Sequence, residues 1–127
     1  MDIYIKTVPN EEIKKRMGFT GADWWTDENG EVQVRVASEL NDWRQEFILA
    51  MHETAEIGMC KYLGITQEQV DDFDKHFQQT HDMDLFAGDE PDAPYKIPHT
   101  FATAIERILA GVMNVDWNPY DDNLGKL

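Results

Sequence analysis

The sequence predicts one α+β domain, with a small N-terminal β-sheet over residues 1–37 followed by three main helices. Three observations carry the fold class. Ile3 and Ile5 alternate with Tyr4 and Lys6, and Val32, Val34 and Val36 alternate with Gln33 and Arg35, the period of strands buried on one face. Asn29-Gly30 separates two β-rich stretches between Trp24 and Val36, which is a hairpin signal. From residue 42 onward, helix start and stop signals frame apolar residues at helical spacing. At 127 residues and 42% hydrophobic content the chain is one domain with enough apolar side chains for a packed core.

The elements follow in order. The first strand ends at Pro9-Asn10, and Glu11 to Met17 makes at best a short helix before Gly18 and Gly21. With the two hairpin strands this gives a sheet of about three strands, antiparallel or mixed. Asn41 or Asp42 caps the main helix, residues 42–63, and Gly64 stops it. Thr66 and Gln69 form a capping box for a second helix over 67–79, antiparallel to the first. Residues 80–97, rich in Asp, Gly and Pro, read as an acidic loop. Pro98 favours a first helical turn and opens the third helix, 98–113. The tail, 114–127, carries Trp117 and Tyr120 and packs back on the body before fraying.

Composition excludes several classes. The longest apolar run, Phe47 to Met51, is five residues, far short of the roughly 20 needed to span a bilayer. No basic, then apolar leader opens the sequence, so a soluble cytoplasmic protein without a membrane role is expected. A lone cysteine, Cys60, excludes an internal disulfide and a cysteine-built zinc site. It sits mid-helix among apolar residues as a buried, inert thiol. Eleven Lys and Arg against 25 Asp and Glu give a net charge of −14, which repels phosphates and argues against direct nucleic-acid binding. The excess is concentrated, since residues 68–92 hold nine acids and a single base, Lys75. Such a surface serves solubility, or it imitates nucleic acid toward a DNA-binding protein partner.

Chemistry concentrates in His52-Glu53-Thr54-Ala55-Glu56. His52 and Glu56 lie about 40° apart, one turn above the other. Ile48, Leu49, Ala55, Met59 and Leu63 share their face, and Trp43, Phe47 and Ala50 make the opposite side apolar too, so the helix is expected to be buried nearly all round. A carboxylate in such surroundings needs a cation, a metal or strong donors. The plain reading is a His52–Glu56 hydrogen bond and nothing more. The other adds His99, which heads the third helix, and makes His52, Glu56 and His99 a three-ligand Zn2+ site with an open fourth position. Iron or manganese would suit the same donors. Glu106 is placed to orient the free ring nitrogen of His99. Tyr95, just before His99, either anchors its loop or donates to an oxyanion. Asp74, His76, His81, Asp82 and Asp84 form a further acidic cluster, read as a solvated surface.

The run from Trp43 to Glu53, following a hairpin strand, resembles the approach to the active-site helix of zincin-like metallopeptidases, closest to the small ImmA/IrrE-type group of bacterial and mobile-element zincins. The likeness covers roughly residues 30–64 and 98–110. Ala93-Pro94-Tyr95, His99 and Glu106-Arg107 are also similar to a bacterial and prophage group with a His-Glu-x-x-Glu helix. The resemblance implies a zinc peptidase with Glu53 as general base, and a domain this small offers little edge strand to hold a peptide, so narrow specificity is expected. The chain departs from the zincin pattern at two positions: Glu56 stands where the second His belongs, and His99 where the distal Glu belongs. Two imidazoles and one carboxylate remain if His99 reaches the other two; otherwise the site is a remnant. The competing expectation is a non-enzymatic acidic interaction protein with a structural or vestigial metal site.

Overall fold

The computed structural model describes residues 1–80 and 86–127. Strands β1 (Ile3–Val8), β2 (Ala22–Thr26) and β3 (Val32–Ala37) form a mixed sheet in the order β1-β3-β2. β1 runs parallel to β3 in register Ile3↔Val32 to Val8↔Ala37, and β2 runs antiparallel to it from Ala22↔Val36 to Thr26↔Val32. Helix α1 (Asn10–Met17) makes the crossover between β1 and the hairpin. The hairpin loop closes where Asp27 N–H donates to the Glu31 carbonyl at 2.9 Å, with Gly30 at φ 77° in the turn. Val32, Val34 and Val36 are buried as their alternation requires, whereas Ile5 stays 44% exposed because β1 is an edge strand.

Helices α2 (Trp43–Leu63), α3 (Gln67–Thr80), α4 (Lys96–Val112) and α5 (Trp117–Gly125) follow. Their ends obey local chemistry. The Asp42 carboxylate accepts the Arg44 N–H at 3.0 Å to cap α2, and Gly64 ends it in the left-handed region at φ 74°. Thr66 and Gln69 exchange bonds of 2.9 and 3.2 Å, the capping box that opens α3. α4 begins two residues before Pro98, which therefore sits inside the first turn, where its missing N–H leaves no helical bond unmade. The described end of the acidic loop is a 3₁₀ turn, Ala87–Asp89, that leads into α4. The tail is helical where only packing was expected, and it is pinned by Tyr120, which is fully buried.

The core lies between one face of the sheet and α2: Trp24, Val34 and Val36 meet Ile48, Ile57 and Cys60. The main partner of α2 is α4 rather than the sequential neighbour α3. Nor is α2 buried all round. Ala50 is inside, but Trp43 and Phe47 are 69% and 43% exposed, because no element among the described residues covers that side. Burial pushes the Cys60 thiol up to about 12, so it is inert in the native protein. Among the described residues, no helix is long and apolar enough to cross a membrane.

Candidate metal centre

Ala102 and Ala110, both buried, let α4 approach α2 closely. The inward sides of the two helices then meet, with His52 and Glu56 from α2 and His99 and Glu106 from α4. His52 Nε2 lies 3.3 Å and His99 Nδ1 3.1 Å from the same oxygen, Glu56 Oε2. All three donor atoms fall within 4.8 Å of one another, so His52, Glu56 and His99 form a group that can hold a metal ion. The two short separations match the roughly 3.3 Å edge of a tetrahedron with metal–ligand bonds of about 2.0–2.1 Å. His52 and Glu56 do contact each other, but a third donor joins them.

Each of these side chains is also held from behind. Glu106 Oε1 accepts from His52 Nδ1 at 2.7 Å, which leaves Nε2 facing the group, and the Tyr120 hydroxyl donates to the other oxygen of Glu106. Trp24 Nε1 donates to Glu56 Oε1 at 3.1 Å and leaves Oε2 toward the imidazoles. Asp89 Oδ1 takes His99 Nε2 at 3.1 Å. Glu106 therefore orients His52, not His99 as its helical projection suggested. The two lie across the helix–helix interface, whereas His99 is held by the preceding turn. Gly88 makes that turn fit, because a Cβ there would stand 2.5 Å from His99 Cγ and Nδ1.

The electrostatics follow from burial and these contacts. Burial opposes a charge on His52, but the hydrogen bonds to Glu106 and Glu56 outweigh it and hold its pKa well above the usual value. For Glu56 burial acts upward, and hydrogen bonds from His52 and His99 bring the carboxyl down to about 2. Glu53 accepts no hydrogen bond among the described residues, and burial followed by the charge of Glu56 pushes its pKa far up. It lines a cavity of about 460 Å³ with His52, Glu56, His99, Asp74 and Arg107.

Of the two readings of Tyr95, an anchor of its loop or an oxyanion donor, its contacts are those of an anchor. Its hydroxyl donates to Asp74, while its ring meets those of Phe73 and His99 edge-on at 6.3 and 6.2 Å. It anchors the segment that carries His99. Asp74 accordingly leaves the solvated cluster to which its neighbours assigned it. Burial, opposed by the Tyr95 hydrogen bond and reinforced by Glu56, raises its carboxyl to about 7. His76 is exposed, and His81, Asp82 and Asp84 lie outside the described residues. Sequence reasoning missed Trp24, Asp89, Gly88 and Tyr120; the Gly-Asp pair and the buried aromatics gave no periodic signal. Compared with known proteins, the chain matches no family model, no curated protein and no solved structure.

Proposed function

We propose that the chain is a mononuclear metal-dependent hydrolase in which His52, Glu56 and His99 hold a zinc ion and Glu53 is the general base. The observation that carries the reading is that every donor has its own partner on the side away from the group: Glu106 for His52, Trp24 for Glu56 and Asp89 for His99. Two imidazoles backed by carboxylates are the usual support of metal-binding histidines. An ion held there supplies Lewis acidity and a water of lowered pKa. Glu53 is adjacent in sequence, faces the cavity and has its proton affinity raised by burial, which suits a group that must take a proton from water near neutral pH. The resemblance to small zincins agrees with these roles.

Substrate recognition is constrained by β2, the edge strand beside the cavity. Three of its outward backbone groups are already engaged. Trp24 N–H donates to Asp23 Oδ1 at 2.9 Å, the Trp24 carbonyl lies 3.5 Å from Arg16 Nη2, and Thr26 N–H donates to Gln67 Oε1 at 2.9 Å. A peptide that bound by adding a strand would have to displace these side chains. The substrate is therefore taken into the cavity, one small group or one narrowly recognised segment at a time, rather than laid along the sheet. The test is paired. Wild-type protein reconstituted with zinc should carry about one ion per chain, and Glu56→Ala and His99→Ala should carry none. Glu53→Gln should keep both the ion and the melting temperature, yet lose roughly 10²–10⁴-fold in turnover on an amide or ester identified with the wild type. Absence of bound zinc in the wild type, or full activity in Glu53→Gln, overturns the reading.

A further inference from the structure

The outward face of α4 is left exposed by the rest of the described residues. Ile97, Phe101, Ile105, Ile108 and Val112 are 60%, 58%, 38%, 66% and 80% exposed. At about 100° per residue they fall within an arc of roughly 80°, a stripe about 22 Å long. Thr100, Ala104 and Gly111 flank it, also exposed and uncharged. In a chain that is 28% charged, this face carries no ionised side chain. The one exposed charge of α4, Arg107, lies to its side, with its guanidinium 4.4 Å from the centre of the Trp117 ring. The five side chains expose on the order of 600 Å², the upper end of what monomers tolerate and most of the roughly 800 Å² per partner of a standard interface.

The exposed area and the way the stripe can be laid on itself fit one occupant, a second copy of the chain. A two-fold axis passing between Ala104 and Ile105 sets Ile97 against Val112 and Phe101 against Ile108 of an antiparallel copy, with Ile105 over the small Ala104. In that pairing each larger side chain meets a smaller or equal one, the self-complementarity that an isologous contact needs, in which residue i meets j and j meets i. We propose that α4 is the dimerisation helix of this protein, pairing antiparallel with α4 of a second copy through Ile97, Phe101, Ile105, Ile108 and Val112.

The proposal makes an unusual demand on salt. Two chains of charge −14 repel each other, and their contact face offers no compensating charge. Screening the repulsion must strengthen association, the reverse of a charge-driven complex, which salt weakens. Sedimentation equilibrium of the full chain at 50 and 500 mM NaCl should show a monomer–dimer equilibrium that tightens at least several-fold in high salt. Ile108→Glu, at a solvent-exposed position, should be monomeric in both buffers with unchanged circular dichroism. Under mild oxidation Ile105→Cys should cross-link to itself, whereas Tyr62→Cys, more exposed but on α2, should not. A wild type monomeric at every concentration and salt overturns the proposal and leaves the face to a different protein. A dimer indifferent to Ile108→Glu overturns it as well, by placing the contact elsewhere.

Discussion

Gly88→Ala isolates the contribution of the turn behind His99. Gly88 does not occupy the left-handed region, so alanine meets no backbone strain, and the effect comes from the added methyl alone. That methyl would stand 2.5 Å from His99 Cγ and Nδ1, against 3.4 Å or more for ordinary contact, so ring or turn has to yield by about 1 Å. Donor atoms of a metal site tolerate about 0.2 Å. Nδ1, now 3.1 Å from Glu56 Oε2, would leave the donor group, and Nε2 would lose Asp89. Loss of a supporting partner alone costs metal sites about 10–100-fold in affinity, so a displaced ligand should cost at least about 100-fold. At fixed excess zinc this removes about 2.7 kcal/mol of ligand-linked stabilisation. A competition titration against a chelating dye measures the affinity, and thermal melts with and without zinc measure the linkage. Gly58→Ala, in α2 with open space around its Cβ, is the control and should be slightly stabilising with unchanged affinity. Wild-type zinc affinity in Gly88→Ala would refute the assignment of His99 as a ligand.

Glu106→Gln keeps an acceptor for His52 Nδ1 but removes the charge behind it. Zinc affinity should fall about 10–100-fold by the same competition titration, and an unchanged value would reduce Glu106 to a packing residue. Asp74 sets a pH dependence. Its folded pKa is raised to about 7, so its contribution is fully present below its ordinary carboxylate pKa and is lost as pH rises through 7. Wild-type stability, measured by urea unfolding in chelator, should therefore drop between pH 5 and pH 8. Asp74→Asn, which still accepts from Tyr95, should lessen that drop and be the more stable protein at pH 8; a parallel pH profile would rule the assignment out.

What the sequence disclosed, and what it withheld, divides along a physical line. Caps and stops are local, so Asp42, Gly64 and the Thr66–Gln69 box could be read directly and appear as hydrogen bonds in the structure. Helical projection is also local, and it placed His52 with Glu56. It does not say which residue faces which across an interface, and Glu106 was accordingly assigned to the wrong imidazole. It does not say whether an apolar side is covered, and Trp43 and Phe47 remain exposed. Helix α5 was hidden because Asn118, Pro119 and Asp121 are poor helix formers; it is held by tertiary contacts, Tyr120 on Glu106 and Trp117 beneath Arg107. Asp89 sat in a run of acids where no spacing distinguished it from its neighbours.

The engaged edge of β2 has a further consequence, for how copies of the chain meet. A three-stranded sheet has two edges, and each is a template on which another chain can extend a ladder. On β2 the Trp24 N–H and carbonyl and the Thr26 N–H are engaged by Asp23, Arg16 and Gln67. β1 is only six residues long, ends at Pro9 and carries the exposed Lys6. Short, charged and proline-bounded edges are how soluble proteins discourage open-ended strand addition. These features weigh against open-ended strand addition at either edge of the sheet, the route by which chains stack into fibres.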